Sequence, residues 1–314
     1  MKILVTGGRG FIGARLVNHL VTQGADVRVL DDGSRGRAEL PPEVEALEGD
    51  VRDAEVVRAA CRGVDAVAHF AAVQGTRNFY ELPDVVLDVN LRGVLNVAQA
   101  CAAEEVSRLV FSSSSEVYGI PAEFPTPESA PLVVPDPANP RWSYSASKIA
   151  GELVVVHAAR RHGFEYVILR YHNVYGPAMG YDHVVPQFIS RLVNGEEFTV
   201  QGDGTQRRAF CYVDDVVGPT ATALAVAKAA NHIFNIGNPA AEHSVNELVA
   251  ALERVGGRAI TPRYVPFEQG GTDRRLPDVR QAQLILGLRP TVMLEEGLRR
   301  TYDWYASRLV ESIR

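Results

Sequence analysis

The first thirteen residues, Met1-Lys-Ile-Leu-Val-Thr6-Gly7-Gly-Arg-Gly10-Phe11-Ile12-Gly13, decide the fold. Residues 2–6 form an apolar, β-rich run, which predicts a short strand, and a helix-like run follows the glycines. At Gly7, Gly10 and Gly13 a side chain would obstruct the turn, the approach of a pyrophosphate or the packing of helix on strand. The N–H groups that open the helix, at Phe11, Ile12 and Gly13, can then face phosphates. The stretch predicts the start of a dinucleotide-binding unit.

Two acidic residues follow the next strand-like segment. Residues 26–30 are predicted as this second strand, and Asp31 and Asp32 come directly after it. A carboxylate about 20 residues after the glycines accepts hydrogen bonds from the adenosine ribose and repels a 2′-phosphate. Asp31 and Asp32 therefore predict that the dinucleotide is NAD rather than NADP.

Strand-like and helix-like segments alternate through the first half of the chain. This alternation predicts an α/β fold with a doubly wound parallel sheet of Rossmann type, whose ligands bind at the carboxyl ends of the strands. Further strands are predicted within the runs 44–53, 66–72, 108–119 and 164–170, the third of them ending in hydroxyl side chains. The candidate cofactor residues at the ends of the later strands are Asp50 and Val51 at the adenine edge, then Phe70, Ala71 and Ala72, and Ser112.

The alternation weakens after residue 170, which indicates a smaller α+β lobe interleaved with the sheet. Ser244 is predicted to cap a helix over 245–255 in this part of the chain. We expect a NAD-binding domain of residues 1–170, to which residues 210–238 return. Residues 171–209 and 239–314 are expected to form a lobe that binds the substrate.

Composition argues against several classes of partner. The 314 residues carry a net charge of -6, which disfavours nucleic acid and anionic membranes as main partners. No segment approaches 18 apolar residues, and the apolar run at the N-terminus is too short for a signal peptide. The three cysteines and eight histidines are scattered, so we expect neither a disulfide framework nor a metal site. We expect a cytoplasmic protein.

A tyrosine and a lysine stand four residues apart in Tyr144-Ser-Ala-Ser-Lys148, at the start of a helix-forming run. On a helix these two side chains share a face, so the ammonium of Lys148 can lie near the phenol of Tyr144 and favour the phenolate. We predict that Lys148 lowers the pKa of Tyr144 and that Tyr144 acts as a base near neutral pH.

Six motifs in order resemble the extended short-chain dehydrogenase/reductases, and among them the NAD-dependent nucleotide-sugar epimerase/dehydratase family. The resemblance covers nearly the whole chain. It implies a tightly bound NAD, a nucleotide-diphosphate sugar as substrate with UDP-sugars favoured, and a homodimer formed through helices at 90–103 and 148–160. The motifs are Thr6-Gly-Gly-Arg-Gly-Phe-Ile-Gly13, Phe70-Ala-Ala72, Ser112-Ser-Ser-Ser-Glu-Val-Tyr-Gly119, Tyr144-Ser-Ala-Ser-Lys148, Arg170-Tyr-His-Asn-Val-Tyr-Gly-Pro177 and Gly202-Asp-Gly-Thr-Gln-Arg-Arg-Ala-Phe210.

The resemblance also implies roles for individual residues. Tyr144 takes the proton of the sugar 4-hydroxyl while C4 gives its hydride to the nicotinamide. Lys148 binds the nicotinamide ribose as well as favouring the phenolate, and Ser114 bonds the 4-oxygen. The implied substrate-binding residues are Ser114, Ser115, Asn173, Arg208 and Arg275, with Arg208 at the diphosphate.

Glu116, the remaining candidate catalytic residue, bears on how the reaction ends. A 4,6-dehydratase usually has Asp-Glu where this chain has Ser115-Glu116, so dehydration is disfavoured. Ser115-Glu116 and Arg275-Leu-Pro-Asp are similar to UDP-glucuronate decarboxylases, but Ala178 replaces their usual arginine. A 4-epimerase needs only Ser, Tyr, Lys, NAD and room for the keto sugar to turn over. We expect an NDP-hexose or NDP-hexuronate 4-epimerase, with the decarboxylase as the alternative, then the dehydratase, and a non-catalytic NAD sensor last.

Overall fold

The computed structural model describes residues 1–36, 38–266 and 271–311, and these residues form fourteen strands. The strands are Lys2–Thr6 (β1), Asp26–Asp31 (β2), Glu45–Glu48 (β3), Ala66–His69 (β4), Arg108–Ser114 (β5), Glu165–Tyr171 (β6), Val174–Tyr175 (β7), Thr199–Gln201 (β8), Arg207–Ala209 (β9), Cys211–Tyr212 (β10), His232–Ile236 (β11), Glu242–Ser244 (β12), Arg263–Val265 (β13) and Arg274–Arg275 (β14).

Ten α-helices connect or cover these strands in the same described ranges. They are Phe11–Thr22 (α1), Ala54–Cys61 (α2), Thr76–Glu81 (α3), Pro83–Ala103 (α4), Ser143–His162 (α5), Val184–Asn194 (α6), Val213–Ala225 (α7), Val245–Gly256 (α8), Arg280–Ile285 (α9) and Leu294–Glu311 (α10). Among the described residues no helix combines the length and the apolar character needed to cross a bilayer.

Seven parallel strands of the described chain form the central sheet, in the order β11-β6-β5-β4-β1-β2-β3. Side chains alternate between its two faces, so Ile3 and Val5 pack with α1 and α7 while Leu4 packs with α2, α4 and α5. Both faces are covered, which explains why the strands are apolar on both sides. The predicted fold class, a doubly wound parallel sheet of Rossmann type, is confirmed. The strand order reverses between β1 and β4, and ligands of such sheets bind at the carboxyl ends of the strands at this point.

A separate core lies beside the carboxyl ends of the sheet. Its buried side chains come from α6, α8, α10 and the short strands around them, and include Phe188, Leu252 and Tyr305. Strand β9 pairs with β12 and β14, and β8 pairs with β13. Strand β11 returns to the central sheet beside β6.

The division into a NAD-binding domain and a substrate lobe remains a prediction. Its expected ranges also include residue 37 and residues 267–270 and 312–314, which lie outside the described residues. The predicted helix cap at Ser244 is confirmed. The Ser244 hydroxyl accepts a hydrogen bond from the Glu247 N–H at 3.1 Å, and the Glu247 carboxylate accepts one from the Ser244 N–H at 2.6 Å.

Some elements begin or end elsewhere than predicted. The strand predicted over 66–72 ends at His69, because the next two N–H groups bond the Thr6 carbonyl and hydroxyl as the chain turns across the sheet edge. The helix predicted from Asn90 begins at Pro83, since proline suits the first turn of a helix. The strand predicted to end at Arg170 continues to Tyr171, and the segment after it contains the two-residue strand β7, which pairs with β10.

Candidate active site

The glycine-rich turn between β1 and α1 leaves no room for side chains. Gly7 has a φ of 70°, and a Cβ on it would lie 2.7 Å from the backbone nitrogen of Ala71. A Cβ on Gly13 would collide with the Gly7 carbonyl oxygen. Helix α1 begins after Gly10 without a side-chain cap, so the N–H groups of its first turn have no partner within the helix. The turn fits a dinucleotide pyrophosphate.

The side chains of Phe11 and Ile12 do not point toward the turn. Both pack against the core of the second lobe, and Ile12 also contacts the core of the sheet. Their predicted contribution to the cofactor site is therefore limited to the backbone N–H groups at the start of α1.

Of the two acidic residues after β2, Asp31 faces the glycine-rich turn. Asp31 is 9% exposed, and its carboxylate accepts hydrogen bonds from the Arg9 and Gly33 N–H groups, both at 2.9 Å. A carboxylate has further lone pairs, so Asp31 can still accept bonds from ribose hydroxyls. Asp32 is exposed, and its carboxylate accepts bonds from the N–H and hydroxyl of Ser34.

Of the two residues predicted at the adenine edge, Asp50 has a hydrogen-bonding side chain and Val51 has an apolar, buried one. The Asp50 carboxylate accepts hydrogen bonds from the Arg52 N–H, Nε and Nη2, and these bonds hold the pKa of Asp50 below its usual value. Val51 is buried against α4, where a Cβ on Gly93 would meet it. The Asp50 side chain is therefore already committed to Arg52.

The segment Phe70-Ala71-Ala72 lies beside the glycine-rich turn. The Ala71 N–H donates to the Thr6 hydroxyl at 3.3 Å, and the Phe70 ring lies against that of Tyr171 with centroids 6.0 Å apart. The close approach of this segment explains why position 7 is a glycine.

Ser114, Tyr144 and Lys148 meet at the carboxyl end of the sheet. Strand β5 ends at Ser114, and Tyr144 and Lys148 lie in the first two turns of α5. The Ser114 hydroxyl accepts a hydrogen bond from the Glu116 N–H at 3.2 Å, and it favours ionisation of the Tyr144 phenol. The Lys148 Nζ donates to the Ser112 carbonyl oxygen at 2.7 Å and lies 5.7 Å from the centre of the Tyr144 ring. Tyr144 is 8% exposed and Lys148 is 3% exposed.

The electrostatics of this group differ from the prediction. Burial and the neighbouring Glu116 carboxylate raise the pKa of Tyr144, while Ser114 and Arg35 oppose the rise. Burial lowers the pKa of Lys148 to about 7, and Glu152 opposes that change. The prediction that the pKa of Tyr144 is lowered is wrong for the polypeptide by itself, because desolvation of the phenolate outweighs the nearby positive charges.

Glu116 is held between two arginines. Its Oε2 atom lies 3.0 Å from the Nη2 atoms of both Arg141 and Arg275. Burial opposes ionisation of Glu116, but Arg275, Arg141 and Arg208 together hold its pKa below the ordinary value. Glu116 is therefore an ionised, paired carboxylate and a poor proton donor.

The two arginines predicted to bind substrate lie side by side in the second lobe, because strands β9 and β14 pair Arg208 with Arg275. Arg275 is 2% exposed and also donates to the Ser115 carbonyl and, at 3.1 Å, to the Thr272 hydroxyl. The Arg208 Nη2 donates to the Thr272 carbonyl at 2.6 Å. Many of their N–H groups are thus engaged by the protein.

Asn173 follows β6 in a left-handed conformation, with a φ of 40°. Its Oδ1 atom is buried and has no hydrogen-bond partner within the described chain. An unpaired buried acceptor is costly, so this atom fits a site completed by a ligand donor. Ser115, the other predicted substrate residue, is 4% exposed and contacts Arg275 through its carbonyl oxygen.

Sequence reasoning missed two residues of the site, Arg141 and Phe79. The Phe79 ring stacks on the Tyr144 ring with centroids 5.0 Å apart, and the Arg141 guanidinium lies 5.7 Å from the Phe79 centroid. Arg141 lies three residues before Tyr144 in the sequence, so its place near the catalytic group could have been predicted. Phe79 gave no signal, since it comes from the separate short helix α3.

No group of three or more His, Cys, Asp or Glu residues in the described ranges could hold a metal ion. The three cysteines are buried and free.

Comparison with known proteins agrees with this geometry. A sequence model described as the NAD dependent epimerase/dehydratase family matches residues 3–237. The chain is 33% identical over 311 residues to UDP-glucuronic acid decarboxylase 1 of Xenopus tropicalis, over 98% of this chain and 73% of that protein. It is 32% identical over 329 residues to the UDP-glucose 4-epimerase of Lactobacillus helveticus, over 98% of each.

A solved structure has the same fold along its whole length. The UDP-glucuronic acid 4-epimerase of Bacillus cereus, in complex with UDP-glucuronic acid and NAD, superposes with a TM-score of 0.90 and 27% identity. The match covers 98% of this chain and 100% of that one. The glycine-rich turn and Asp31 of this chain fit a dinucleotide. The chain belongs to the NAD-dependent epimerase/dehydratase family, and its cofactor is NAD.

Proposed function

We propose that the protein is a nucleotide-sugar 4-epimerase that works through transient oxidation at the sugar C4. The observation that carries this proposal is the meeting of Ser114, Tyr144 and Lys148 at the ligand edge of the sheet. These groups suffice to remove and return the proton of a 4-hydroxyl, and epimerisation requires no other acid or base. The proposed substrate is an NDP-hexose or NDP-hexuronate. UDP-sugars are favoured because similar proteins include a UDP-glucuronic acid decarboxylase and a UDP-glucose 4-epimerase.

Each residue has a distinct task in this reaction. Tyr144, as phenolate, takes the proton of the sugar 4-hydroxyl, and Ser114 holds the 4-oxygen by a hydrogen bond. Lys148, when protonated, favours the phenolate and binds the nicotinamide ribose. NAD, when bound, would supply the hydride acceptor and a positively charged nicotinamide. The raised pKa of Tyr144 in the polypeptide means that these positive charges are needed to form the base.

Residues 115 and 116 favour epimerisation over the elimination of water. A dehydratase needs one group that protonates the leaving 6-hydroxyl and another that removes the proton from C5. Ser115 stands where the acid would be, and Glu116, which its arginines keep ionised, cannot replace that acid. We therefore place a 4,6-dehydratase behind the epimerase, and a non-catalytic NAD sensor last because Ser114, Tyr144 and Lys148 are all retained.

A UDP-glucuronate decarboxylase is the second candidate. A hexuronate oxidised at C4 is a β-keto acid, which loses carbon dioxide readily. The observation that favours this outcome is the direct contact of Glu116 with Arg275, because both residues belong to stretches that resemble UDP-glucuronate decarboxylases. Two features argue against decarboxylation. Ala178 replaces the arginine that is usual in decarboxylases, and the further ion pair of Glu116 with Arg141 makes Glu116 a poor proton donor.

The remaining expectations complete the proposal. Arg208 binds the substrate diphosphate, and Arg275 and Asn173 lie beside the sugar or diphosphate. Residues 1–170 and 210–238 bind NAD, and residues 171–209 and 239–314 bind the nucleotide sugar. The protein is cytoplasmic and forms a homodimer through α4 and α5.

The test is incubation of the purified protein with UDP-, dTDP-, GDP- and CDP-sugars, including hexoses and hexuronates, followed by mass spectrometry and NMR. Epimerisation leaves the mass unchanged and alters the coupling of H4. Loss of carbon dioxide would identify the decarboxylase, and loss of water would identify the dehydratase.

The Tyr144→Phe variant checks that any conversion uses this site. We expect it to retain NAD and to lose about 10²- to 10⁴-fold in turnover, as is usual when a general base is removed. Conversion of every nucleotide sugar at the parental rate would refute the proposed mechanism.

A further inference from the structure

A buried carboxylate lies one helical turn beyond Lys148. Glu152 is 3% exposed, and its Oε1 atom accepts hydrogen bonds from the Ser113 hydroxyl at 2.5 Å and from the Arg170 Nε at 2.9 Å. Its Oε2 atom accepts a bond from the Arg170 Nη2 at 2.7 Å. Tyr144, Lys148 and Glu152 follow each other at intervals of four residues, so they lie along one face of α5.

Arg170 extends this contact to the segment that follows Ser114. Its Nη1 donates to the Tyr118 hydroxyl at 2.9 Å and to the Glu128 carbonyl oxygen at 2.8 Å. Tyr118 closes the 3₁₀ turn of residues 115–118, which also carries Glu116. The Glu152–Arg170 pair is therefore bonded to both sides of the catalytic group, through Ser113 just before Ser114 and through Tyr118 just after it.

The charges that face Lys148 are few. On its own helix lie the neutral phenol of Tyr144 and the carboxylate of Glu152. From β4 comes His69, which is buried, hydrogen-bonded to the Thr6 hydroxyl and neutral because burial lowers its pKa to about 3. From β5 come the Phe111 ring and the Ser112 carbonyl. Among these described groups Glu152 is the carboxylate that acts on Lys148.

We propose that Glu152 is a positioning residue of the reaction. It fixes the face of α5 that carries Tyr144 and Lys148 against the strand end that carries Ser114, and it keeps a negative charge near the Lys148 ammonium. This inference rests on the proposed roles of Ser114, Tyr144 and Lys148. It goes beyond them because Glu152 touches none of the reacting atoms and acts through Lys148 and through the alignment of α5.

A buried ion pair can also serve stability alone, and the chain offers a matched control. Arg108 and Glu165 join the same two strands, β5 and β6, at the end of the sheet away from the catalytic group. Their guanidinium and carboxylate lie 2.5 Å apart, with the Arg108 side chain 8% exposed and the Glu165 side chain 44% exposed, so the pair is matched in its strands rather than in its burial. Loss of this pair should affect folding without affecting Lys148.

The experiment compares Glu152→Gln, the double variant Glu152→Met/Arg170→Met and the control Glu165→Gln. Removing both members of a buried pair is often tolerated, so the double variant keeps the test valid if the single variant does not fold. Thermal unfolding, NAD content, kcat, KM and the pH dependence of kcat are measured on whichever nucleotide sugar the parent converts.

We expect the Glu152 variants to retain NAD and to keep KM within about threefold. Their kcat should fall about 10- to 100-fold, as expected when reacting groups shift slightly. In Glu152→Gln the alkaline limb of the kcat profile should move to lower pH by roughly one unit, because Lys148 loses its proton more easily without the neighbouring negative charge. In the double variant this limb should move less, because the positive charge of Arg170 is lost as well. The Glu165→Gln variant should show the parental kcat and pH profile.

Two outcomes would overturn the inference. One is a folded Glu152→Gln variant with the parental kcat and pH profile, or, if that variant does not fold, a folded double variant with the parental kcat. The other is an equal loss of kcat in Glu165→Gln, which would indicate a general effect of destabilisation. A parent protein that converts no nucleotide sugar would instead count against the proposed function. The inference about Glu152 would fail together with the proposed function in that case. An active parent whose variants are unchanged would refute only the role of Glu152.

Discussion

At Tyr144 two opposing effects act on one hydroxyl. Burial and Glu116 raise the pKa of the phenol, whereas Ser114 and Arg35 lower it. Since Glu116 is held ionised by Arg141 and Arg275, its negative charge is a fixed feature of the site. The carboxylate therefore works against formation of the base.

The Glu116→Gln variant separates the proposed reactions. Removing the negative charge lowers the pKa of Tyr144, so an epimerase should keep turnover within about tenfold and its acidic limb should move to lower pH. The measurement is the pH dependence of turnover, with Ser115→Ala as a neighbouring control. Loss of decarboxylation with intact binding of NAD and substrate would instead show that Glu116 transfers a proton.

Some residues of the site could be predicted because their roles depend on local spacing. Gly7, Gly13 and Asp31 are examples, since a turn and a strand end fix where they lie. Phe79 and Arg141 were missed because their contacts with Tyr144 and Glu116 join segments distant in the chain. The sign of the shift at Tyr144 was missed because desolvation depends on how much of the chain surrounds the phenol.

Among the elements, three loops meet at Arg35. The loop after β2 lies so close to the glycine-rich turn that a Cβ on Gly36 would collide with the Arg9 carbonyl. From this loop Arg35 donates to the Gln74 carbonyl and pairs with Asp182 at 3.4 Å. The loops after β4, β2 and β7 are thereby joined beside the cofactor turn.

We expect Asp182→Asn to speed the dissociation of NAD about 1.4- to 5-fold, because a partly exposed ion pair contributes roughly 0.2–1 kcal/mol. The rate is measured by displacing bound NAD with an excess of labelled NAD. The matched control is Glu81→Gln, which removes the exposed pair of Arg77 with Glu81 on α3. Equal rates in the parent and in Asp182→Asn would show that this contact does not retain the cofactor.

The long elements of the sheet could be predicted, whereas the short ones could not. Strands β1, β2 and β5 and the helix after the glycines follow from apolar runs of adequate length. Strands β9, β12 and β14 contain two or three residues each and exist because they pair with one another across distant parts of the chain. No local pattern specifies such pairing.

At the scale of the whole molecule, α4 and α5 leave large apolar side chains in solvent. Leu95 is 42% exposed and Leu153 is 56% exposed. Substituting Leu153 with Glu would place a charge in the proposed dimer contact, so we expect the variant to be monomeric when the parent is dimeric. Light scattering after gel filtration measures this.

The control for the dimer is Leu284→Glu, on α9, where the side chain is 84% exposed and lies outside the proposed contact. This variant should keep the parental mass. A parental mass for Leu153→Glu as well would exclude α5 as the contact.

The path of the chain between the sheet and the second core restricts how these two parts can move relative to each other. The chain leaves the sheet after β6, returns to it through α7 and β11, and leaves it again toward β12. Arg275 adds a buried bond from the second core to the turn after β5. Several connections of this kind prevent rotation about a single hinge. We therefore expect ligands to enter by movement of surface loops while the two cores keep their relative orientation.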